Sequence, residues 1–311
     1  MNKLKNYFKI IFIFIFIYLL FKYNNIVNKS VVDATYLWFK KVFPSLFIMF
    51  ILNDIIINSN ILNNFTKFIN PIFNKIFNTF GNSSLSFLLS IISGTPSSAF
   101  ILKEMLNNSS ISINDANKLI SFTYFSNPLF LYNILSNTFN KKITIKIILI
   151  HYITNIFIGL LFRKKDNNNN NKTIKNKSNI NEINIIKLLP SSINKSINTL
   201  FMILGTIVFY MIITNLILNI FNINNLFNIF LRGIFEITQS LNLLNNLNYP
   251  SITKELMALS IISFGGLSIH TQVLSIINDT DISYKNFLIG RILHFLLGTI
   301  TYIFIYYVIP C

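Results

Sequence analysis

SIISGTPSS, residues 90–98, and SIISFGGLS, residues 260–268, decide the fold. Each begins as an apolar run that a helix would accept and then meets Gly94 and Pro96, or Gly265 and Gly266. Glycine costs a helix about 1 kcal/mol and proline about 3 kcal/mol relative to alanine, so both runs are predicted to unwind. The peptide groups released by such a break find no water at membrane depth. They are tolerated only where protein or a wet cavity covers them. Two interrupted apolar segments in corresponding positions therefore point to a transport-type binding site.

The surroundings of the breaks are those of a membrane protein. The chain has 311 residues, of which 52% are hydrophobic and only 12% charged, with 32 Phe and a mean hydropathy of +0.56. That composition implies an all-α polytopic protein of roughly seven to nine membrane segments, with the lipid bilayer as its first partner. The net charge of +16 does not imply nucleic acid. The basic residues stand at segment ends and in one linker rather than on a folded face. Cys311 is the one cysteine, which excludes an intramolecular disulfide and a cysteine metal cluster. No GxSxG, HExxH, Walker A, GxGxxG or Cys/His cluster occurs, so neither an enzyme nor a cofactor is expected. Without a nucleotide motif, any transport is passive, gradient-coupled or driven by another chain.

Working outward, residues 1–35 read as an N-terminal anchor helix and its connection, with the apolar run Ile10–Phe21 flanked by Lys3, Lys5, Lys9 and Lys22 and no small-x-small cleavage site after it. A first half spans 36–162. Trp38, Phe39, Lys40 and Lys41 resemble an interfacial belt before the segment Val42–Ile57, where Pro44 suits a helix start. Ile61–Phe80 is amphipathic at helical spacing and is expected at the interface or packed in the bundle. The broken segment 85–106, the polar ledge Ser112–Asp115, the segment 117–135 interrupted at Ser126-Asn127-Pro128, and the span 146–162 complete this half.

Residues 163–195 form a basic, Asn-rich linker that the positive-inside rule places in the cytoplasm; its run Asn167–Asn171 reads as solvated low complexity. The second half, 196–311, holds the span 199–221, a weaker segment 226–237, the broken segment 256–277 and a final span 287–309. Beyond the SIIS runs, Ile113–Asp115 is matched with Asn278–Ser283 as a further trace of duplication. The number of crossings between the copies leaves parallel and inverted arrangements both open.

Unwound backbone offers free N–H groups, and the following half-helix presents its positive end, so each break can receive an anion; free carbonyls can hold a donor. Candidate solute-binding residues at the first break are Ser93, Gly94, Thr95, Pro96 and Ser97, and at the second Ser263, Gly265, Gly266, Ser268, His270 and Gln272. The competing reading is that small residues simply allow close helix packing. Ser126, Asn127 and Pro128 form a third interruption, where Asn127 either touches solute or repairs the kink. Arg291, early in the last span, either counters an anion or snorkels to the interface. His270 is a candidate for solute binding or proton coupling, whereas His151 reads as packed. Lys103 and Glu104 are expected in an interfacial ion pair.

WFKKVFPSLFIMFIL (38–52), SGTPSSAFIL (93–102), SFTYFSNPLF (121–130), SFGGLSIHTQV (263–273) and GRILHFLLG (290–298) together resemble the YlbJ/SpoVV-type sporulation integral membrane proteins. That resemblance implies the nucleoside-recognition, or Gate, grouping and a fold similar to the core of concentrative nucleoside transporters. It also implies an endospore-forming bacterium, a place in the outer forespore membrane, and movement of dipicolinic acid, a small dianion, from mother cell toward forespore. A homo-oligomer or other sporulation membrane proteins would be its macromolecular partners. The alternatives are a carrier of another solute such as a nucleoside, and a non-transporting morphogenetic protein of the spore cortex. Relatives read SG-x-P-x-GAK at the first break, whereas Ser98 and Phe100 stand here. An anion at this chain's site must then rely on Lys103, Arg291 or backbone donors.

Overall fold

The computed structural model describes residues 2–59, 63–163, 185–221, 223 and 225–308. Most of the basic linker, with Asn167–Asn171, lies outside the described residues, as does Cys311. Every regular element among the described residues is helical. In chain order they are α1 (Asn2–Lys22), α2 (Asn24–Leu37), a π-helical turn (Trp38–Val42), α3 (Phe43–Ser59), α4 (Asn63–Phe77), α5 (Ser83–Ser93), α6 (Ser97–Asn107), α7 (Ile113–Phe122) and α8 (Pro128–Leu135). The chain continues with α9 (Lys141–Leu161), α10 (Ile185–Phe221), α11 (Asn225–Phe235), α12 (Ile237–Leu243), α13 (Ser251–Phe264), α14 (Gly266–Ile277) and α15 (Tyr284–Val308).

Among the described residues, five helical stretches are long and apolar enough to cross a membrane: 24–59, 141–161, 185–221, 251–277 and 284–308. The sequence count of seven to nine treated the half-helices as spans. Alone, helices of 8–11 residues such as α8, α5, α6 and α11 fall short of the roughly 20 residues a bilayer requires.

The two SIIS runs have different roles. The second ends α13, and the path continues through Gly265 into α14, so that 251–277 is one interrupted crossing. The first ends α5, after which the chain turns back and α6 packs beside α5. At the open end of this hairpin Asn82 N–H donates to Ser110 O at 3.1 Å. A second hairpin is formed by α11 and α12, with Ser240 Oγ donating to Ile229 O at 2.7 Å. The structural counterpart of α13–α14 is α7–α8, the helix interrupted at Ser126-Asn127-Pro128. The order hairpin, broken helix, long helix thus occurs twice, as α5 to α9 and as α11 to α15. Residues 113–115 open α7 whereas 278–283 precede α15, so that match also joins unlike places. Shared letters in a chain so rich in Ser and Ile reflected composition, not correspondence.

Polar pairs fix the relative direction of the two sets. On one face Asn108 bonds Asn58 at the end of α3 (3.3 Å) and Lys103 pairs with Asp279 beyond α14 (2.7 Å). Also on this face, Lys195 near the start of α10 pairs with Asp54 (2.9 Å) and Glu104 (3.3 Å). On the opposite face Lys146, near the start of α9, pairs with Glu255, near the start of α13, at 3.1 Å. The first hairpin therefore opens on the first face, and the second, which follows the far end of α10, opens on the other. The arrangement is inverted. Lys103 and Glu104 do not pair with each other; each ties α6 to a different element.

Trp38 is packed inside the bundle rather than displayed on its outer surface. Only 7% of it is exposed, and it packs with Ala34, Val42, Leu46 and Phe50 against Leu200, Ile203, Ile207 and Met211 of α10. Pro44 stands in the first turn of α3, as a proline near a helix start should, although α2 leads through the π turn directly into α3. The helix α4 divides its apolar residues: Phe73 and Phe77 enter the core, while Phe68 and Ile72 remain exposed. In lipid, such packing supplies stability through van der Waals contact and internal hydrogen bonds rather than through the hydrophobic effect.

Candidate functional site

Where the half-helices meet, their ends sort by sign. The C-terminal ends of α7 and α13 carry unfilled carbonyls and a partial negative charge. Arg291 of α15, fully buried, lies between them. Its guanidinium donates to Ser121 O at 3.2 Å, to Ser263 O at 3.5 Å and to Asn155 Oδ1 at 3.0 Å. The Tyr124 ring covers its flat face at 3.8 Å, a cation–π contact. Asn155 in turn donates to Tyr124 O at 2.5 Å. Around this junction His151 Nε2 accepts from Ser126 N–H at 3.1 Å, which places the His151 proton on Nδ1. His294 Nε2 meets His151 O at 2.9 Å. Arg291 thus neither snorkels nor faces the cavity described below. His151 is packed, as its sequence context implied.

The turn at the first hairpin tip rests on backbone. Gly94 has φ +74°, and a Cβ there would overlap Asn127 N; only glycine allows both the conformation and the approach. Thr95 N–H donates to Phe125 O at 2.6 Å. Asn127 Oδ1 caps α8, accepting from Leu129 N (2.9 Å) and Phe130 N (3.0 Å), while its Nδ2 reaches Ile92 O (3.2 Å) and Ser93 O (3.4 Å) at the end of α5. Asn127 therefore repairs two helix ends at once. Gly265 repeats the requirement for glycine, with φ +90° and Tyr124 Oη in the space a Cβ would fill.

A small cavity lies where α6, α8 and α14 begin. Thr95, Pro96, Ser126, Asn127, Ser268 and Gln272 supply its polar wall, together with Glu236 and Thr238 from the second hairpin tip. Val42, Ser45 and Leu46 near the start of α3, with Ile203 and Ile207 of α10, close it with a largely apolar wall. It encloses about 50 Å³, space for a few waters. Ser268 Oγ, almost wholly buried, has no hydrogen-bond partner there. Gln272 Nε2 is held by Thr206 Oγ1 at 2.8 Å.

Among the fifteen candidate positions, six line this cavity. Ser93, Gly94 and Ser97 shape the first tip, and Pro128 opens α8. Ser263, Gly265 and Gly266 shape the second break, and Arg291 fills the junction behind it. His270 is turned elsewhere, its Nδ1 to Tyr284 Oη (2.8 Å) and its Nε2 to Phe264 O (3.1 Å). Sequence reasoning missed Glu236, which is 2% exposed and caps α12 by accepting from Gln239 N at 2.8 Å. Its signal was present as a lone acid in the apolar stretch FLRGIFEI, the kind of intramembrane group that marks function.

These features define a helical integral membrane protein with an internal polar cavity at the meeting point of interrupted helices. The chain is similar to the sporulation integral membrane protein YlbJ of Bacillus subtilis (strain 168), 26% identical over 294 residues, which covers 83% of this chain and 72% of that protein. The likeness supports the YlbJ-type sporulation membrane protein family and with it a membrane role in sporulation. No family model matches the chain, and no solved structure matches it.

Proposed function

We propose that the protein carries dipicolinic acid across the outer forespore membrane, from mother cell toward forespore, as a transporter or facilitator of a Gate-type fold. The observation that carries this reading is the convergence of the starts of α6, α8 and α14 on one polar cavity. Helix N-termini favour carboxylates through their N–H groups and dipoles, and dipicolinate brings two carboxylates on a flat ring. Lys103 is engaged with Asp279, Arg291 with backbone carbonyls and the first amides of α8 with Asn127 Oδ1, so hydroxyl donors such as Ser268 Oγ, aided by the dipoles of the three half-helices, remain as the anion's partners. The cavity as it stands admits water only, and solute entry requires the hairpin tips to part from the wall formed by α3 and α10.

Deleting the gene is expected to leave spores without dipicolinate while the mother cell accumulates it; normal spore dipicolinate would contradict the reading. Glu236 favours a second reading, a neutral polar solute such as a nucleoside, because its carboxyl can accept hydrogen bonds from ribose. Direct binding of each solute to the purified protein separates the two.

A further inference from the structure

A carboxylate inside an anion cavity calls for an explanation. Glu236 is the sole ionisable side chain lining the cavity. No cation faces it. Arg232, one turn earlier on α11, is directed to Asn228 Oδ1 (2.8 Å) and Asn215 Oδ1 (2.6 Å). On the elements packed against the second hairpin, Lys29, Asp33 and Tyr36 belong to α2, Tyr132 to α8, Lys187, Lys195 and Tyr210 to α10, Lys254 and Glu255 to the far end of α13, and His270 to α14; none lines the cavity, and Lys195 is paired with Asp54 and Glu104. The ring nitrogens of His270 are both occupied, which removes it as the proton carrier.

Resting on the carrier reading above, we propose that Glu236 couples solute to protons: its carboxyl takes up one proton before an anionic carboxylate occupies the cavity, and releases it when the solute leaves. In the empty state the ionised side chain draws on the N–H of Gln239 and stands in for the solute. An ionised Glu236 beside an arriving anion would repel it, since like charges at close range disfavour each other's charged form. The step is a simple protonation of Glu236, with the proton entering from the side from which the solute enters and leaving with it on the other. Ser268 Oγ, buried and unpartnered, is then the donor left for the incoming anion.

The test is calorimetric binding of pyridine-2,6-dicarboxylate to the purified full chain in lipid nanodiscs from pH 6 to pH 8, for the wild type and for Glu236→Gln, Glu236→Asp and Ser268→Ala. The proposal expects wild-type affinity to fall by up to about tenfold per pH unit, with close to one proton taken up per solute bound. Glu236→Gln should bind tightly with no pH slope and no proton uptake, while Glu236→Asp keeps the slope. Level affinity in the wild type, or loss of binding in Glu236→Gln while Glu236→Asp still binds, overturns the proton role and leaves the carrier reading standing. Absence of dicarboxylate binding by every variant at every pH overturns the carrier reading and this proposal together.

Discussion

Two meeting points of helix ends lie within this molecule, and they are finished differently. At the junction of α7 and α13, carbonyl ends face a fully buried arginine that satisfies them, with Asn155, Tyr124, His151 and His294 packed around it. At the cavity, the starts of α6, α8 and α14, of which α8 is capped by Asn127 Oδ1, face a small space in which one serine hydroxyl has no partner. A site whose charge is balanced by the protein's own side chain is structural. One whose favoured counter-charge must come from outside is the place where the proposed function puts a solute. The arginine that sequence pattern offered as an anion ligand thus belongs to the first kind.

Substitutions can break this contrast. Arg291→Met should have the largest effect, because it orphans Ser121 O, Ser263 O and Asn155 Oδ1 in a dry interior, at about 1–3 kcal/mol for each group. A large drop in thermal midpoint in detergent, with little folded protein recovered, is expected; a near wild-type midpoint would remove Arg291 from its structural role. Gly94→Ala comes next, at about 2 kcal/mol or more, since it combines a left-handed conformation with overlap on Asn127. Asn127→Ala should cost about 1–2 kcal/mol through the lost cap on α8, with Asn127→Asp restoring the cap but not the bonds to Ile92 O and Ser93 O. Melting curves of the two variants check this order.

Ser268→Ala sharpens the comparison from the other side. With no bond to lose, it should change stability by less than about 0.5 kcal/mol while weakening dicarboxylate binding severalfold. The smallest effect belongs to the Lys103–Asp279 pair. The hydrogen bond from Lys103 holds the Asp279 carboxyl below its ordinary range, so its contribution is present above that range and is lost as pH falls through the lowered value. Asp279→Asn should therefore remove a weak acid-side dependence of the melting midpoint and leave neutral pH almost unchanged.

Much of the fold was legible because its decisive points are chemically conspicuous. Gly94, Pro96, Gly265 and the Asn127-Pro128 pair cannot continue a membrane helix without compensation, and all three breaks occur where they stand. The fourth break, at Glu236, contains neither glycine nor proline beside it, and a helix ended by an acidic cap leaves only a polar letter in an apolar run. The repeat was misread for the opposite reason: SIIS occurs at a hairpin tip and in a broken crossing alike, and which of the two forms depends on whether the next half-helix finds its partner behind or ahead. Trp38 followed the habit of aromatic belts, whereas its real partner, α10, lies more than 150 positions away in the sequence. Arg291 and His270 have side chains able to bind a solute, but the carbonyls and the tyrosine they satisfy become visible only in three dimensions.

An experimental structure of the protein with dipicolinate bound tests the central claim most directly. The account predicts the carboxylates between Thr95, Ser126, Asn127, Ser268 and Gln272, beside a Glu236 side chain that no longer occupies their place, with Arg291 still on Ser121 O and Ser263 O. Dipicolinate seated on the Arg291 guanidinium, with those carbonyl bonds broken, would contradict it.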